Sequence, residues 1–198
     1  MLYILIILCA NLVIIAASLL ANLFFPWIFA GYDLWYVILM PPISTVAVIA
    51  VDGIGAFIIR RLPAKWFSID SSLTDVSKKE CEIYTKLGAR KWREKVPELG
   101  IFTGFHKNQV ADPGSNEYLK RYILEANYGV VIHLVCVPIG FLILLLCPIG
   151  HALFFGVPVA IVNAVLNILP AMILRYNIPK LLALHRRNER IALRDSAP

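Results

Sequence analysis

Apolar and polar positions along this chain fall in blocks rather than in alternation. Residues 2–29 form one apolar run, with Asn11 and Asn22 as its main polar interruptions. A second run covers 35–59, a third about 128–147 and a fourth 152–174. Each exceeds or approaches the ~20 residues that a helix needs to cross a bilayer. Pro26, Gly31 and Asp33 mark the first turn, with Trp27, Tyr32, Trp35 and Tyr36 around it as an interfacial belt. Pro41 and Pro42 fall in the first turns of the second run, where a missing N–H is best tolerated. Residues 60–127 are the one sizeable polar region, and 77–95 within it predict an amphipathic helix at the membrane surface. Residues 180–194 mix apolar and basic positions and predict a C-terminal surface helix. The pattern predicts an all-α polytopic membrane protein: four transmembrane helices in one membrane domain over 1–198, a loop at 60–127 and a tail at 175–198.

Composition agrees. Of 198 residues, 59% are hydrophobic, and mean hydropathy is +0.73; soluble domains average about 45–50% apolar. The net charge of +6 matters for its placement. No Lys or Arg occurs in the first 59 residues, and all 19 fall in 60–95, 107–121 or 175–194. By the positive-inside rule the loop and both termini lie in the cytoplasm. An anionic lipid surface accounts for the basic residues, and nucleic acid is not needed. The four cysteines show no CxxC pairing, so neither a disulfide framework nor a metal site is expected. The N-terminal run lacks a basic n-region and is too long for a cleavable signal, which predicts a retained helix.

Several polar residues inside the apolar runs are candidate site residues. Asp52 is a carboxylate within a span, which marks a functional candidate. Asp52 precedes Arg60, and Asn167 precedes Arg175, by the same 8 residues, so the two should share a depth. If the last two spans turn at Ile149, His133 (16 residues before) matches Asn167 (18 after), and Glu125 (24 before) matches Arg175 (26 after). At a rise of ~1.5 Å per residue, Asp52, His133 and Asn167 form an inner polar layer, with Glu125, Arg175, Tyr176 and Asn177 at the rim. A rim pair of Glu125 with Arg175 follows. Single polar residues in such helices more often serve helix–helix hydrogen bonds, the competing reading for each.

In the loop, Arg90, Lys91, Trp92 and Arg93 make a basic stretch around one Trp, followed by Lys95. It suits an anionic lipid surface or the phosphates of a coenzyme A-type donor. His106 and Lys107 lie in a later loop. The sequence holds no GxSxG, HExxH, P-loop or GxGxxG, so no generic motif names the chemistry.

A more specific pointer is the order of several blocks. RLPAKWF (61–67), RKW (90–92) followed by Pro97-Glu98, Glu125 with His133 eight residues on, and Asn167 followed by RYNIPKL (175–181) together resemble the glycosyl-diaponeurosporenoate acyltransferases, small bacterial membrane proteins of staphyloxanthin-type carotenoid synthesis. The resemblance covers about residues 60–190 and leaves out the first helix. Leu174 stands where Gln is common, Ile178 where a basic residue is, and Val130-Val131 where a more polar pair is. These departures bear on the substrate more than on the fold.

The resemblance implies transfer of a fatty acyl group to a sugar hydroxyl of a glycosylated carotenoid or related glycolipid, in a bacterial cell membrane. No cofactor is implied beyond acyl-CoA or acyl carrier protein as co-substrate. His133 is the expected general base, with His106 the alternative, and Asp52 or Asn167 would orient its ring. Arg175, Tyr176 and Asn177 would bind the sugar or a developing oxyanion, Glu125 would position Arg175 or a sugar hydroxyl, and Arg90, Lys91 and Arg93 would hold donor phosphates. The competing class is a non-enzymatic lipid-binding or scaffold subunit, which would bind lipid without consuming a thioester.

Overall fold

The computed structural model describes residues 2–96 and 110–196. Its helices are α1 (Leu2–Phe24), α2 (Leu34–Arg60), α3 (Lys78–Lys86), α4 (Ala89–Trp92), α5 (Asn116–Gly140), α6 (Ile149–Ala152) and α7 (Gly156–Asp195), with short 3-10 turns between some of them. No strand occurs among the described residues. Four helical stretches are long and apolar enough to cross a membrane: Tyr3–Phe24, Leu34–Arg60, Asn116–Leu145 and Gly156–Asp195. Their outward side chains are bare, as with Leu12 at 66%, Leu23 at 71% and Leu145 at 82% exposure. Helices that keep backbone polarity internal and turn leucine outward suit lipid as solvent. The protein is therefore an all-α membrane protein.

The element bounds depart from the expected ones in four places, one being the expected 77–95 helix, which Gly88 at φ 72° breaks into α3 and α4. The first span ends at Phe24, and Pro26–Phe29 tighten into a 3-10 turn. The third helix starts at Asn116, well before 128, because the Ser115 hydroxyl accepts the Tyr118 N–H at 3.2 Å as a cap. Its polar first turns are held by Leu119, Tyr122 and Ile123 packing on Leu181. The tail is not a separate surface helix: α7 runs unbroken to Asp195 through Pro170 and Pro179. Proline in a helix interior costs ~3 kcal/mol, and the buried contacts of Ala171, Ile173 and Ile178 hold the helix across both sites.

The chain forms two compact units. The first comprises residues 1–57 and 134–168, the second 58–133 and 169–198. In the first, Ile14, Val48, Ile143, Val159 and Ala160 make one core, and Phe29, Val37 and Phe155 another. In the second, Leu119, Tyr122, Ile123 and Leu181 make one core, and Ala126, Val130 and Ile178 another. Helix α7 lies against α5 with glycines at the contacts. A Cβ on Gly129 would stand 2.7 Å from Leu174 Cδ1, and one on Gly140 would stand 2.3 Å from Asn163 Nδ2.

Candidate active site

The first unit holds a polar network within its apolar helices. Asn167, buried on α7, donates from Nδ2 to Asp52 Oδ2 of α2 at 3.1 Å. The same nitrogen lies 3.0 Å from Asn163 Oδ1 and 3.1 Å from Asn163 O, one turn earlier. Asn163 Nδ2 donates to the Cys136 carbonyl of α5 at 3.3 Å, and the Cys136 thiol lies 3.8 Å from the Asp52 carbonyl. Asp52 and Asn167 thus meet at one depth, as their equal spacing from Arg60 and Arg175 predicts. Asn163 was not anticipated, although its i,i+4 spacing from Asn167 puts both on one helix face.

The one histidine of this unit, His151, is a structural pin. His151, 3% exposed, has Nδ1 at 3.0 Å from the Tyr36 hydroxyl and Nε2 at 3.0 Å from the Ile28 carbonyl. Rings of Phe29, Tyr32 and Phe155 surround it. Nε2–H donates to the Ile28 carbonyl and Nδ1 shares a hydrogen bond with the Tyr36 hydroxyl, so both ring nitrogens are engaged.

The second unit holds the loop against α5 and α7 by two polar devices. The first is a latch. Asn127, fully buried on α5, donates from Nδ2 to the Phe67 carbonyl at 2.8 Å. Its neighbour Tyr128 stacks on Phe67 with ring centroids 3.9 Å apart and donates its hydroxyl to the Leu62 carbonyl at 3.0 Å. Arg60 at the end of α2 reaches Glu125 Oε2 at 3.0 Å and lies over the Tyr128 ring. The 61–67 run is thereby laid along one turn of α5, Glu125 to Tyr128.

The second device is a clamp. Arg175 donates from Nε to Glu80 Oε1 and from Nη2 to Glu80 Oε2, both at 2.7 Å. Nη1 donates to the Leu73 carbonyl, and Nη2 also to the Asp75 carbonyl at 3.3 Å. Tyr84 adds its hydroxyl to Glu80 Oε1 at 2.6 Å. The Arg175 hydrogen bonds hold the Glu80 carboxyl below the usual carboxylate range, against an opposing effect of burial. Burial, with the Glu80 bond next, pushes the Tyr84 phenol up to about 12. Glu80 is the N3 residue of α3, whose cap is Ser77. The carboxylate serves its own helix start, where the Ser77 backbone N–H bonds it, as well as Arg175.

The anticipated rim pair of Glu125 with Arg175 is therefore not formed: Glu125 pairs with Arg60, and Arg175 with Glu80. Each has another partner, Arg60 from the end of α2 and Glu80 from α3. Gly129 meets Leu174 and Gly140 meets Asn163, about one helical turn off a symmetric hairpin around Ile149. The 3-10 segment Phe141–Leu146 and the short α6 fill the two sides of that turn unequally.

The remaining candidates are placed as follows. His133 is half-buried on α5, within the second unit. Tyr176 carries Lys180 Nζ 3.5 Å above its ring, and Asn177 is half-buried beside it on α7. Arg90 and Lys91 project from α4, while Arg93 is half-buried just after it. Trp92 is tied by Nε1 to the Leu87 carbonyl at 2.8 Å, across Gly88 at φ 72°. A non-glycine residue is strained there. His106, Lys107, Pro97 and Glu98 lie outside the described residues. Among the described residues, no group of three or more His, Cys, Asp or Glu is arranged to hold a metal ion.

Comparison with known proteins gives this geometry a family. No curated protein and no solved structure matches the chain. Residues 63–187 match the family described as glycosyl-4,4'-diaponeurosporenoate acyltransferase. That stretch covers more than half of the chain. It contains Phe67 and the α5 turn of the latch, both sides of the Glu80–Arg175 clamp, the basic α4 and His133. By its length, and by the blocks it includes, the match shows that the chain belongs to the glycosyl-4,4'-diaponeurosporenoate acyltransferase family, whose name denotes acyl transfer in carotenoid biosynthesis.

Proposed function

We propose that this protein is a membrane O-acyltransferase that moves a fatty acyl group from a thioester donor to a sugar hydroxyl of a glycosylated carotenoid or a related glycolipid. The observation that carries this reading is the family match over 63–187. The acceptor hydroxyl oxygen attacks the thioester carbonyl, its proton passes to an imidazole, and collapse of the tetrahedral adduct breaks the C–S bond and releases the thiolate. His133 is the base in this reading. It is half-buried, whereas His151 and His185 are almost fully buried.

The donor is acyl-CoA or acyl carrier protein at the cytoplasmic side, with the exposed Arg90 and Lys91 meeting its phosphates. Arg175 is given a different task from sugar binding. Its guanidinium is committed to Glu80 and two carbonyls, so it holds the walls of the site. Tyr176 and Asn177, next along α7, are left as the sugar-side candidates.

The direct test is turnover by the purified chain in detergent with a glycosylated polyene and acyl-CoA. The expected result is an acylated glycolipid and one equivalent of thiol. Lipid binding without thioester consumption would make the chain a scaffold and overturn the reading.

A further inference from the structure

A face of the second unit has no assigned partner. On α3, Ile83 is 54% and Leu87 57% exposed, one turn apart at i and i+4. Lys79 and Lys86, also exposed, lie on the same face at i−4 and i+3 from Ile83. Arg90 and Lys91 are exposed on α4, beyond the Gly88 turn. Trp66, 53% exposed beside Lys65, gives the same unit a second apolar residue next to a cation. Glu82 is the exposed opposing charge on the flank of α3.

Glu80, three residues before Ile83 and so beside it on α3, fixes where this face stands. Glu80 is clamped by Arg175, the residue at which the apolar run of α7 ends. In the same unit Glu125 is paired with Arg60, the residue at which the apolar run of α2 ends. Both ion pairs mark the level where the chain leaves hydrocarbon, and α3 is tied to one of them. A short helix at that level, with an apolar pair outward and lysines beside it, has the form of an interfacial anchor. The apolar side chains enter the acyl boundary and the lysines extend along it to the phosphates.

We propose that the Lys79–Ile83–Lys86–Leu87 face of α3 docks on the anionic headgroup layer of the bilayer that the long helices span. Charge decides the occupant. Lys79 and Lys86 flank the apolar pair against the carboxylate Glu82, and the exposed Arg90 and Lys91 follow beyond Gly88, with the exposed Glu94 after them. That excess is complementary to phosphatidylglycerol-type headgroups and opposes packing against a second copy of the same face.

The test uses the full chain in nanodiscs, with a spin label at Ile83→Cys in a Cys9→Ala/Cys81→Ala background. Cys136 and Cys147 are buried and stay unlabelled. In phosphatidylcholine–phosphatidylglycerol discs, the label should be relaxed by oxygen and shielded from a water-soluble nickel relaxant. In Lys79→Glu/Lys86→Glu the nickel relaxant should reach it, with the docked population falling on the order of fivefold per lysine. A label open to the nickel relaxant in the parent protein overturns the proposal, as does one shielded from both relaxants by protein. If the labelled variant does not fold, native mass spectrometry of the unlabelled Lys79→Glu/Lys86→Glu protein decides. Loss of retained phosphatidylglycerol relative to wild type supports the docking, and unchanged retention overturns it. None of these readouts depends on acyl transfer.

Discussion

Arg175 of α7 is gripped by both carboxylate oxygens of Glu80, 95 residues earlier in the chain, at 2.7 Å each. A bidentate guanidinium–carboxylate pair is among the stronger polar contacts available to a protein, and here it closes the loop segment 73–80 onto a membrane helix. With side-chain exposures of 17% and 24%, the two groups are partly desolvated. Removing one leaves the other without its partner, so Glu80→Gln or Arg175→Leu should lower stability by about 2–3 kcal/mol. Thermal unfolding in a fixed detergent checks this, and the exchanged pair Glu80→Arg/Arg175→Glu should regain part of the loss.

The same pair gives a pH dependence. The Glu80 carboxyl is held below its ordinary value, first by the Arg175 hydrogen bond. Its contribution is present above the unfolded carboxylate pKa of about 4.3 and is lost as pH falls through the lower folded value. Tyr84 runs the other way. Its phenol is raised to about 12 by burial, so its contribution is complete below about pH 10 and is lost as pH rises toward 12. The melting temperature of Glu80→Gln should respond less to acid than that of the wild type, and that of Tyr84→Phe less to alkali.

Gly140 carries the polar network of the first unit without touching it by any side chain. A Cβ there would stand 2.3 Å from Asn163 Nδ2. Gly140→Ala must therefore push Asn163 off the Cys136 carbonyl and disturb its contact with Asn167. Overpacking of this kind costs about 1–3 kcal/mol. Asn163→Ala, which vacates the space, should restore part of the loss in the double variant, as thermal melts would record.

Tyr36→Phe removes one hydrogen bond from His151 and leaves its ring cage in place. The expected cost is about 1 kcal/mol, with no change in acyl transfer. A change in the pH profile of activity would give His151 a chemical role that the pin does not.

The sequence carries the four long helices openly, because lipid as solvent demands unbroken apolar blocks. The pairing of Asp52 with Asn167 is legible for a related reason: both sit at a fixed count from a basic residue that ends an apolar run. What cannot be counted is the turn between α5 and α7. The 3-10 segment Phe141–Leu146 and α6 shift the register, and the partners that Glu125 and Arg175 take, Arg60 and Glu80, come from other parts of the chain. Glu80 was hidden for another reason, since a capping-box glutamate three residues after Ser77 already has a local role. The continuity of α7 past Pro179 is likewise invisible in local propensity, because burial of Ile178 and Leu181 outweighs the missing N–H. The buried Asn127 shows no pattern in sequence, because its partner is a loop carbonyl 60 residues away.

The central claim is that this chain itself catalyses acyl transfer with His133 as the base, and paired histidine variants test it most directly. Purified wild type, His133→Ala and His106→Ala are given acyl-CoA and a glycosylated polyene, and ester product is measured with thermal stability as the control for folding. His133→Ala is expected to lose about 10²–10⁴-fold in kcat while remaining folded, and His106→Ala to keep most of its activity. Intact acyl transfer by His133→Ala, with loss confined to His106→Ala, would contradict that claim.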